Sequence, residues 1–399
     1  MTEQSHLHLA VALDGAGWHP AGWRSPEARP RELFSSGYWA ELVAEAERGL
    51  LDFVTIEDSL TIQSDNPFEL DRRTDQVRGR LDAVLIAARV APTTRRIGII
   101  PTALTSNTEP FHVSKAIATL DYVSTGRAGL QIRAAGFGVE AALFGRRDAF
   151  QLSPANLGRP EVQQQLADRF EEAAEYVEVL RRLWDSWQDD AIIRDNATGR
   201  FIDRQRLHYI DFEGRWFSVR GPSITPRPPQ GQPIVAALAH VPVAYRLAAR
   251  QADLVFVTHR TDAEIAGVLA ALTAETGQVS RPAPLQVFAD LVVFLDDDAG
   301  KAARRKAELD DLHGRPLTSD TRIFVGNPSQ LADYLSQLHE AGYHGSRLRP
   351  GELPHDLRTI CSLLVPELQR RGLFRTGYRA DTLRGQLGLD RPANRYQVA

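Results

Sequence analysis

Charged and hydroxyl side chains follow several short apolar runs of this sequence, and their types suit the binding of a ligand. Asp58 comes just after the apolar run 53–56, and Arg133 comes directly after the run 128–132. Because an unpaired arginine is costly to bury, Arg133 must face a carboxylate, a phosphate or water. Structural roles stay open, since Asp58 could cap a loop and Arg133 could pair with Glu57. The leading candidates for ligand contacts are Asp58, Thr105, Arg133 and His240.

Four more polar residues occupy comparable positions and are secondary candidates: Glu57, His259, Arg347 and Arg349. The sequence has no Gly-x-Ser-x-Gly elbow and no His-Glu-x-x-His pair, which argues against a serine hydrolase or a zinc protease. Its single cysteine, Cys361, excludes an internal disulfide and a cysteine metal site. We therefore assign no metal ligand and no catalytic residue, and we expect a cofactor to carry the chemistry.

Composition and charge narrow the class of protein. The 47 Lys and Arg residues nearly balance the 51 Asp and Glu residues, so nothing indicates a nucleic-acid partner. No apolar run approaches the roughly 18 residues that a membrane-spanning helix needs. The first residues lack the basic segment of a secretory signal. With one cysteine, these features predict a cytoplasmic protein.

Eight strand-like runs alternate with eight helical patterns, and this alternation must position the candidates. The strands are predicted at 6–13, 53–56, 96–101, 128–132, 233–238, 254–258, 285–295 and 345–348. The helices are predicted at 38–49, 81–90, 113–122, 166–187, 243–252, 263–276, 302–312 and 357–371. Eight such units predict an α/β fold, a (β/α)₈ TIM barrel whose ligand site lies at the carboxyl ends of the strands.

An open, doubly wound sheet is the alternative fold. It would require a glycine-rich turn after the first strand, and the stretch Asp14-Gly15-Ala16-Gly17-Trp18 lacks the third glycine of that fingerprint. We treat residues 1–399 as one barrel domain with insertions. The insertions are predicted at about 189–231, with a hairpin, and at about 296–323. The polar tail 374–399 is expected to wrap the surface or a partner subunit.

Several stretches along the chain, taken together, resemble the bacterial-luciferase-like flavin monooxygenases, in the branch of the nitrilotriacetate and dibenzothiophene-sulfone monooxygenases. No single stretch is specific on its own. They include His19-Pro-Ala-Gly-Trp23-Arg24, Ala46-Glu47-Arg48-Gly49, Glu57-Asp58-Ser59, Thr108-Glu109-Pro110, Leu183-Trp184-Asp185-Ser186-Trp187 and Val365-Pro366-Glu367-Leu368.

The resemblance implies a TIM barrel that forms a homodimer or a higher oligomer and handles FMN at the barrel mouth. It also implies that a separate NAD(P)H:flavin reductase supplies the reduced FMN, and that the enzyme uses dioxygen to oxidise a small organic substrate. The resemblance does not identify that substrate. Asp58 and Thr105 match the family pattern, which implies contacts with the flavin ring or ribityl chain.

Departures from the family pattern fall on the cofactor site. The family's asparagine after strand four is Gln131 here, and its Thr-Ser pair is Ala134-Ala135. A tyrosine on the following helix is Phe170, which is expected to pack against the flavin ring. In the phosphate loop after strand five, a glycine is Leu238 and a serine is His240. We expect Arg133 and His240 to receive the phosphate in place of the lost donors.

Two other readings remain open at this point. The barrel could have lost flavin chemistry and act as a ligand-binding protein or a partner subunit, because the scaffold motifs are intact beside an altered cofactor site. Alternatively, a deazaflavin could replace FMN in the same barrel. Titration with reduced and oxidised FMN would separate an enzyme from a barrel that binds no flavin.

Overall fold

The structure, a computed structural model, describes residues 6–64, 70–134, 138–144, 153 and 155–397. Ala135 and Gly136, expected at the end of the fourth strand, lie outside the described residues. The strands are β1 (His8–Leu13), β2 (Phe53–Ile56), β3 (Gly98–Leu104), β4 (Gly129–Arg133), β5 (Ile192–Asp195), β6 (Arg200–Ile202), β7 (Phe212–Glu213), β8 (Ser218–Val219), β9 (Ile234–Ala239), β10 (Leu254–Val257), β11 (Gln286–Leu295), β12 (Ile323–Gly326) and β13 (Gly345–Pro350).

The helices surround these strands. They are α1 (Ser36–Arg48), α2 (Ala83–Val90), α3 (Pro110–Val123), α4 (Gly138–Phe144), α5 (Pro160–Asp185), α6 (Pro242–Gln251), α7 (Ile265–Thr276), α8 (Ala299–His313), α9 (Pro328–Ala341), α10 (His355–Thr359), α11 (Val365–Arg370) and α12 (Leu383–Gln386). A π-helical turn, Ile360–Leu364, joins α10 to α11. Among the described residues, no helix combines the length and the apolar character needed to cross a bilayer.

Eight parallel strands close into a barrel in the order β1, β2, β3, β4, β9, β10, β11 and β13, and β13 pairs with β1. Each of these strands is followed by a helix or by a loop that leads to one. The closed parallel barrel confirms the predicted (β/α)₈ fold and rules out the open sheet. It also brings the carboxyl ends of all eight strands to one mouth.

Between the seventh and eighth barrel strands the chain is more elaborate than predicted. The last four residues of β11 pair with β12, which is followed by α9 before the chain enters β13. The sequence prediction included α8 but missed both β12 and α9. The signals for α9 are nevertheless present, because Asn327 and Gln330 form a capping box and Gly342 ends the helix in a left-handed conformation.

The first insertion contains two antiparallel hairpins, β5–β6 and β7–β8, in agreement with its hairpin prediction. The carboxyl-terminal tail does more than wrap the surface, which corrects the expectation for it. Leu383, on α12, packs into the amino end of the barrel in one buried cluster with Phe53 and Phe288. Gly98 allows this approach, since a Cβ there would lie 2.5 Å from a Leu383 methyl carbon.

Candidate functional site

A cavity of about 330 Å³ opens at the mouth of the barrel, where ligand sites of TIM barrels lie. Side chains reach it from the carboxyl ends of β2, β4, β9 and β13, from the loop after β1, and from the segment between β2 and α2. Its charged lining residues are Asp14, Glu57, Asp58, Arg80, Arg133, Glu140, Arg347 and Arg349. The larger apolar side chains on its walls are Trp18, Ile62, Leu70, Val139 and Leu238.

Arg133 closes β4 and lines this cavity. Thr105 holds its backbone, because the Thr105 N–H and hydroxyl donate to the Arg133 carbonyl at 3.1 and 3.3 Å. The Arg133 guanidinium donates to the Asp58 carbonyl at 2.9 Å and has no carboxylate partner among the described residues. The salt bridge with Glu57 that the sequence left open is not formed. Within the part of the chain that the structure describes, this positive charge therefore faces the cavity without a neutralising carboxylate.

Asp58 lies beside Arg133, but its carboxylate is occupied by backbone groups. It accepts hydrogen bonds from the N–H of Ser59 at 2.7 Å and from the N–H of Ala83, in the first turn of α2, at 2.9 Å. Burial raises the pKa of Asp58, and these two N–H groups partly oppose that shift. Asp58 thus combines the two roles considered for it, since it secures the start of α2 and also lines the cavity.

The floor of the cavity is a buried layer of paired polar groups centred on Arg347. Its guanidinium donates to both carboxylate oxygens of Asp290 at 2.6 Å and to the side-chain oxygen of Gln131 at 2.6 Å. It also reaches Thr55 at 3.1 Å and Glu57 at 3.0 Å. Each nitrogen of this guanidinium donates to at least one acceptor, so the floor contributes rigidity rather than an open cation.

Two more groups extend this layer. Arg349 also binds Asp290 and donates to Asp320 at 2.7 Å. Burial by itself would lower the pKa of Arg349, but Asp290 and Asp320 outweigh it and hold the pKa above its ordinary value. On the other side, the Gln131 amide donates to Glu57 and to Thr102, at 2.8 Å for the latter. Gln131 is therefore committed to the floor and is not available to a ligand.

The segment between β2 and α2 forms one wall of the cavity and is tied to the barrel. Arg80 pairs with Asp14, which follows β1, at 2.6 and 2.9 Å. Burial lowers the pKa of Arg80, and Asp14 more than offsets this effect. Gln63 and Gly79 exchange two hydrogen bonds, of 3.0 and 3.1 Å, across the segment. These contacts hold the cavity-lining part of the segment against the mouth.

The structure places three of the five predicted site residues outside the cavity lining. Thr105 is fully buried and its hydroxyl faces the Arg133 carbonyl, because side chains alternate along a strand and Thr105 follows the inward-facing Leu104. Phe170 packs against the core from α5. His240 is exposed beyond the end of β9. The expectation that Asp58, Thr105, Arg133 and His240 share one cavity therefore holds for Asp58 and Arg133 alone.

The secondary candidates also divide into residues that line the cavity and one that does not. Glu57, Arg347 and Arg349 belong to the cavity floor. His259 is buried and its Nε2 lies 2.8 Å from the Tyr334 hydroxyl, so it packs against α9 rather than facing the mouth. Sequence reasoning missed Asp290, although an aspartate within the apolar run 285–295 is a signal of a buried ion pair. No cluster of three or more potential metal ligands occurs among the described residues.

The chain is similar to characterised enzymes over its whole length. The N-acetyl-S-(2-succino)cysteine monooxygenase of Bacillus subtilis (strain 168) is 29% identical, with 99% of each chain covered. The nitrilotriacetate monooxygenase component A of Aminobacter aminovorans is also 29% identical, again over 99% of each chain. The crystal structure of the long-chain alkane monooxygenase LadA superimposes with a TM-score of 0.83, at 23% identity and over 96% of each chain.

The model of the luciferase-like monooxygenase family matches residues 16–352, a span that includes seven of the eight barrel strands and every cavity-lining residue named above except Asp14. This match confirms the resemblance drawn from the sequence and, with it, the class of enzyme, a flavin-dependent monooxygenase. We conclude that the chain belongs to the luciferase-like monooxygenase family.

Proposed function

We propose that this protein uses FMN, which it receives in reduced form from a separate NAD(P)H:flavin reductase, to oxidise a small organic substrate with dioxygen. The name of one relative, component A of a nitrilotriacetate monooxygenase, supports a second component of this kind. The mouth cavity is the proposed flavin site. When bound, the reduced flavin supplies the electrons that activate dioxygen for transfer of one oxygen atom to the substrate.

The residues at the mouth fit a flavin. The cavity volume of about 330 Å³ is at the lower end of the range for small-molecule sites, and Ile62, Val139 and Leu238 offer apolar walls to a ring. The paired floor keeps buried charges satisfied, so the face of a flavin ring can cover it without leaving a floor group unpaired. Asp58 and the wall formed by the β2–α2 segment would orient the ring and exclude water from the reacting atoms.

The phosphate is proposed to bind at Arg133. Its guanidinium is oriented by the Asp58 carbonyl and has donors left for an oxyanion. His240, which is exposed just beyond the end of β9, does not line this cavity, and we propose no phosphate contact for it. Arg133 would therefore replace the hydroxyl donors that the resemblance implies at the phosphate.

The observation that carries the proposal is the unneutralised Arg133 at the cavity. We therefore compare the affinities of the wild-type protein and of Arg133→Met for FMN and for riboflavin, which lacks the phosphate. Loss of a charged hydrogen bond of about 1.5–3 kcal/mol predicts roughly 10- to 150-fold weaker FMN binding, with riboflavin binding nearly unchanged. The matched control is Arg304→Met, since Arg304 is exposed on α8. Equal loss for both flavins, or loss for neither, contradicts the phosphate assignment.

One observation favours a second function, a barrel that binds a ligand without flavin chemistry. Gln131 replaces the family's asparagine, and its amide is bound by Glu57, Thr102 and Arg347 instead of facing the cavity. Titration with reduced and with oxidised FMN separates the two functions. Micromolar binding of either form supports the oxygenase, whereas no binding at about millimolar flavin supports the second function.

We also propose that the protein forms a homodimer or a higher oligomer and acts in the cytoplasm. Leu85 on α2 and Tyr122 and Val123 on α3 are 70%, 44% and 43% exposed, which supports an interface on that side of the barrel. The single cysteine is compatible with a reducing compartment. Light scattering on the purified protein tests the oligomeric state, and a monomer at micromolar concentration would contradict it.

A further inference from the structure

A second cleft lies at the amino end of the barrel, opposite the mouth. Its volume is about 540 Å³, within the range of small-molecule sites. Its walls come from the start of β1, the loop between α9 and β13, and the carboxyl-terminal tail. Among the described residues, this lining contains no aspartate or glutamate. We call this cavity the basic cleft, because its lining includes the basic residues His6, His8, His339, His344, Arg375 and Arg379.

The basic residues differ in whether a carboxylate neutralises them. Arg375 and His8 share the buried Asp52, which each contacts at 2.8 Å. Arg379 is exposed, and its only hydrogen bond within the described residues joins it to the Nδ1 of His6 at 2.6 Å. A neutral imidazole accepts this bond and leaves the guanidinium charge intact. Arg379 therefore holds a full positive charge at the cleft, with most of its donors unused.

His344 adds a hydrogen-bond donor. Its Nδ1 accepts the N–H of Val287 at 3.1 Å, which leaves the proton of the neutral ring on Nε2. In the part of the chain that the structure describes, no acceptor contacts this Nε2. His339 is oriented differently, with its Nδ1 3.1 Å from the Tyr343 carbonyl. The cleft thus combines a charged guanidinium with an imidazole N–H that has no acceptor among the described residues.

Electrostatics at the two flanking imidazoles agree with this geometry. Burial lowers the pKa of His6, and the positive charges of Arg379, Arg375 and His8 lower it further. Burial also lowers the pKa of His344, with further contributions from His8 and His339. Of the neighbours that act on these rings, the two arginines are positive and the histidines are positive only when protonated, so an anion in the cleft would relieve the repulsion.

We propose that the basic cleft binds the phosphate group of a small molecule, with the Arg379 guanidinium and the His344 Nε2–H as donors. Such a group offers several acceptor oxygens and the negative charge that the cleft lacks. The volume of the cleft admits either inorganic phosphate or a phosphate ester of nucleoside size. The site is separate from the mouth and does not depend on flavin binding there.

Isothermal titration calorimetry with inorganic phosphate and with AMP tests this site. All variants carry Arg133→Met as well, so that the proposed phosphate contact at the mouth does not contribute. We expect Arg379→Gln to weaken binding at least tenfold and Arg304→Gln, at an exposed arginine on α8, to leave it unchanged. Arg379 is exposed and Gln is polar, so thermal unfolding of this variant should match that of the parent.

A second readout does not depend on the variants. Histidine ring signals in NMR spectra should show that phosphate raises the pKa of His6 and of His344, because a bound anion favours the protonated ring. Tighter binding of AMP would identify a phosphate ester as the natural class, and equal affinity would identify free phosphate. No binding at about 10 mM of either probe, or equal affinity in Arg379→Gln, would overturn the proposal.

Discussion

The two halves of the barrel interior differ in polarity. The amino half is apolar, with the rings of Phe53, Phe256 and Phe288 packed together and covered by Leu383 from the tail. The carboxyl half is the polar floor centred on Arg347. The two halves meet where the Arg347 guanidinium lies over the Phe256 ring, 4.1 Å from its centroid.

This difference separates stability from binding. Apolar packing is non-directional, so the stability of the amino half depends on the volume of its side chains. This half should therefore tolerate substitutions that conserve that volume. The polar floor depends on every partner, since removing one leaves a buried charge uncompensated. Arg133 also lines the cavity but takes no part in this pairing within the described residues, and it is the residue that we propose for the phosphate. The comparison predicts effects of different size at three depths of the barrel.

The largest effect is expected from Arg347→Met in the floor. The substitution leaves Asp290 with Arg349 alone and removes the partner of Glu57 and Gln131. Breaking a buried ion pair in this way costs about 3–5 kcal/mol of unfolding free energy, measured by urea denaturation. The control Arg250→Met breaks an exposed pair with Glu171 and should cost about 1 kcal/mol or less. If both variants lose the same unfolding free energy, the ion pairs of the floor do not stabilise the protein more than an exposed pair does.

A somewhat smaller effect is expected from Leu383→Ala in the amino half. Removing this fully buried side chain opens a cavity beside Gly98 and Phe53, at a cost of about 2–5 kcal/mol. Leu363→Ala, at a site 41% exposed, serves as the matched control and should cost far less. If Leu383→Ala unfolds at the same urea concentration as the parent, the tail does not close the barrel.

Arg133→Met should affect stability little, in contrast to the arginine of the floor. Its side chain makes one hydrogen bond, to the Asp58 carbonyl, and no ion pair among the described residues. Its loss should change the unfolding free energy by about 1 kcal/mol or less. Its effect on FMN binding should be larger than its effect on stability. A loss of stability as large as that of Arg347→Met would assign Arg133 to the structural layer.

The smallest effect concerns the pH dependence of stability at Asp58. Its pKa is raised above the ordinary 3.8, chiefly by burial, so the folded protein holds this proton more tightly than the unfolded chain. Its contribution to the unfolding free energy is therefore greatest below the unfolded pKa and decreases as the pH rises through the folded pKa. Asp58→Asn should remove that decrease. A pH-independent difference between variant and parent, measured from pH 3 to pH 7, would contradict this assignment.

Sequence patterns predicted much of the barrel and less of the site. The strand Phe53–Ile56 was predicted with its observed bounds, and the other barrel strands within a few residues. β12 and α9 were missed, because no element was assigned between the insertion at about 296–323 and the strand at 345–348. At the mouth, Asp58 and Arg133 both line the cavity, as their strand-end positions indicated, and their contacts with a ligand stay a prediction. Thr105 was misplaced because the direction of its side chain depends on where β3 ends, and strand ends are the least certain part of such a prediction.

The sequence by itself determined the fold, the family and the end of the barrel that holds the site, because these depend on local periodicity and on the order of elements. Only the tertiary structure decided how the charges pair. Arg347 meets Asp290 from 57 residues away and Glu57 from 290 residues away. Local sequence patterns do not predict which distant residues will pair, because these residues come into contact only when the barrel closes. Closure therefore decided that Arg347 is paired within the floor and that Arg133, among the described residues, has no carboxylate partner.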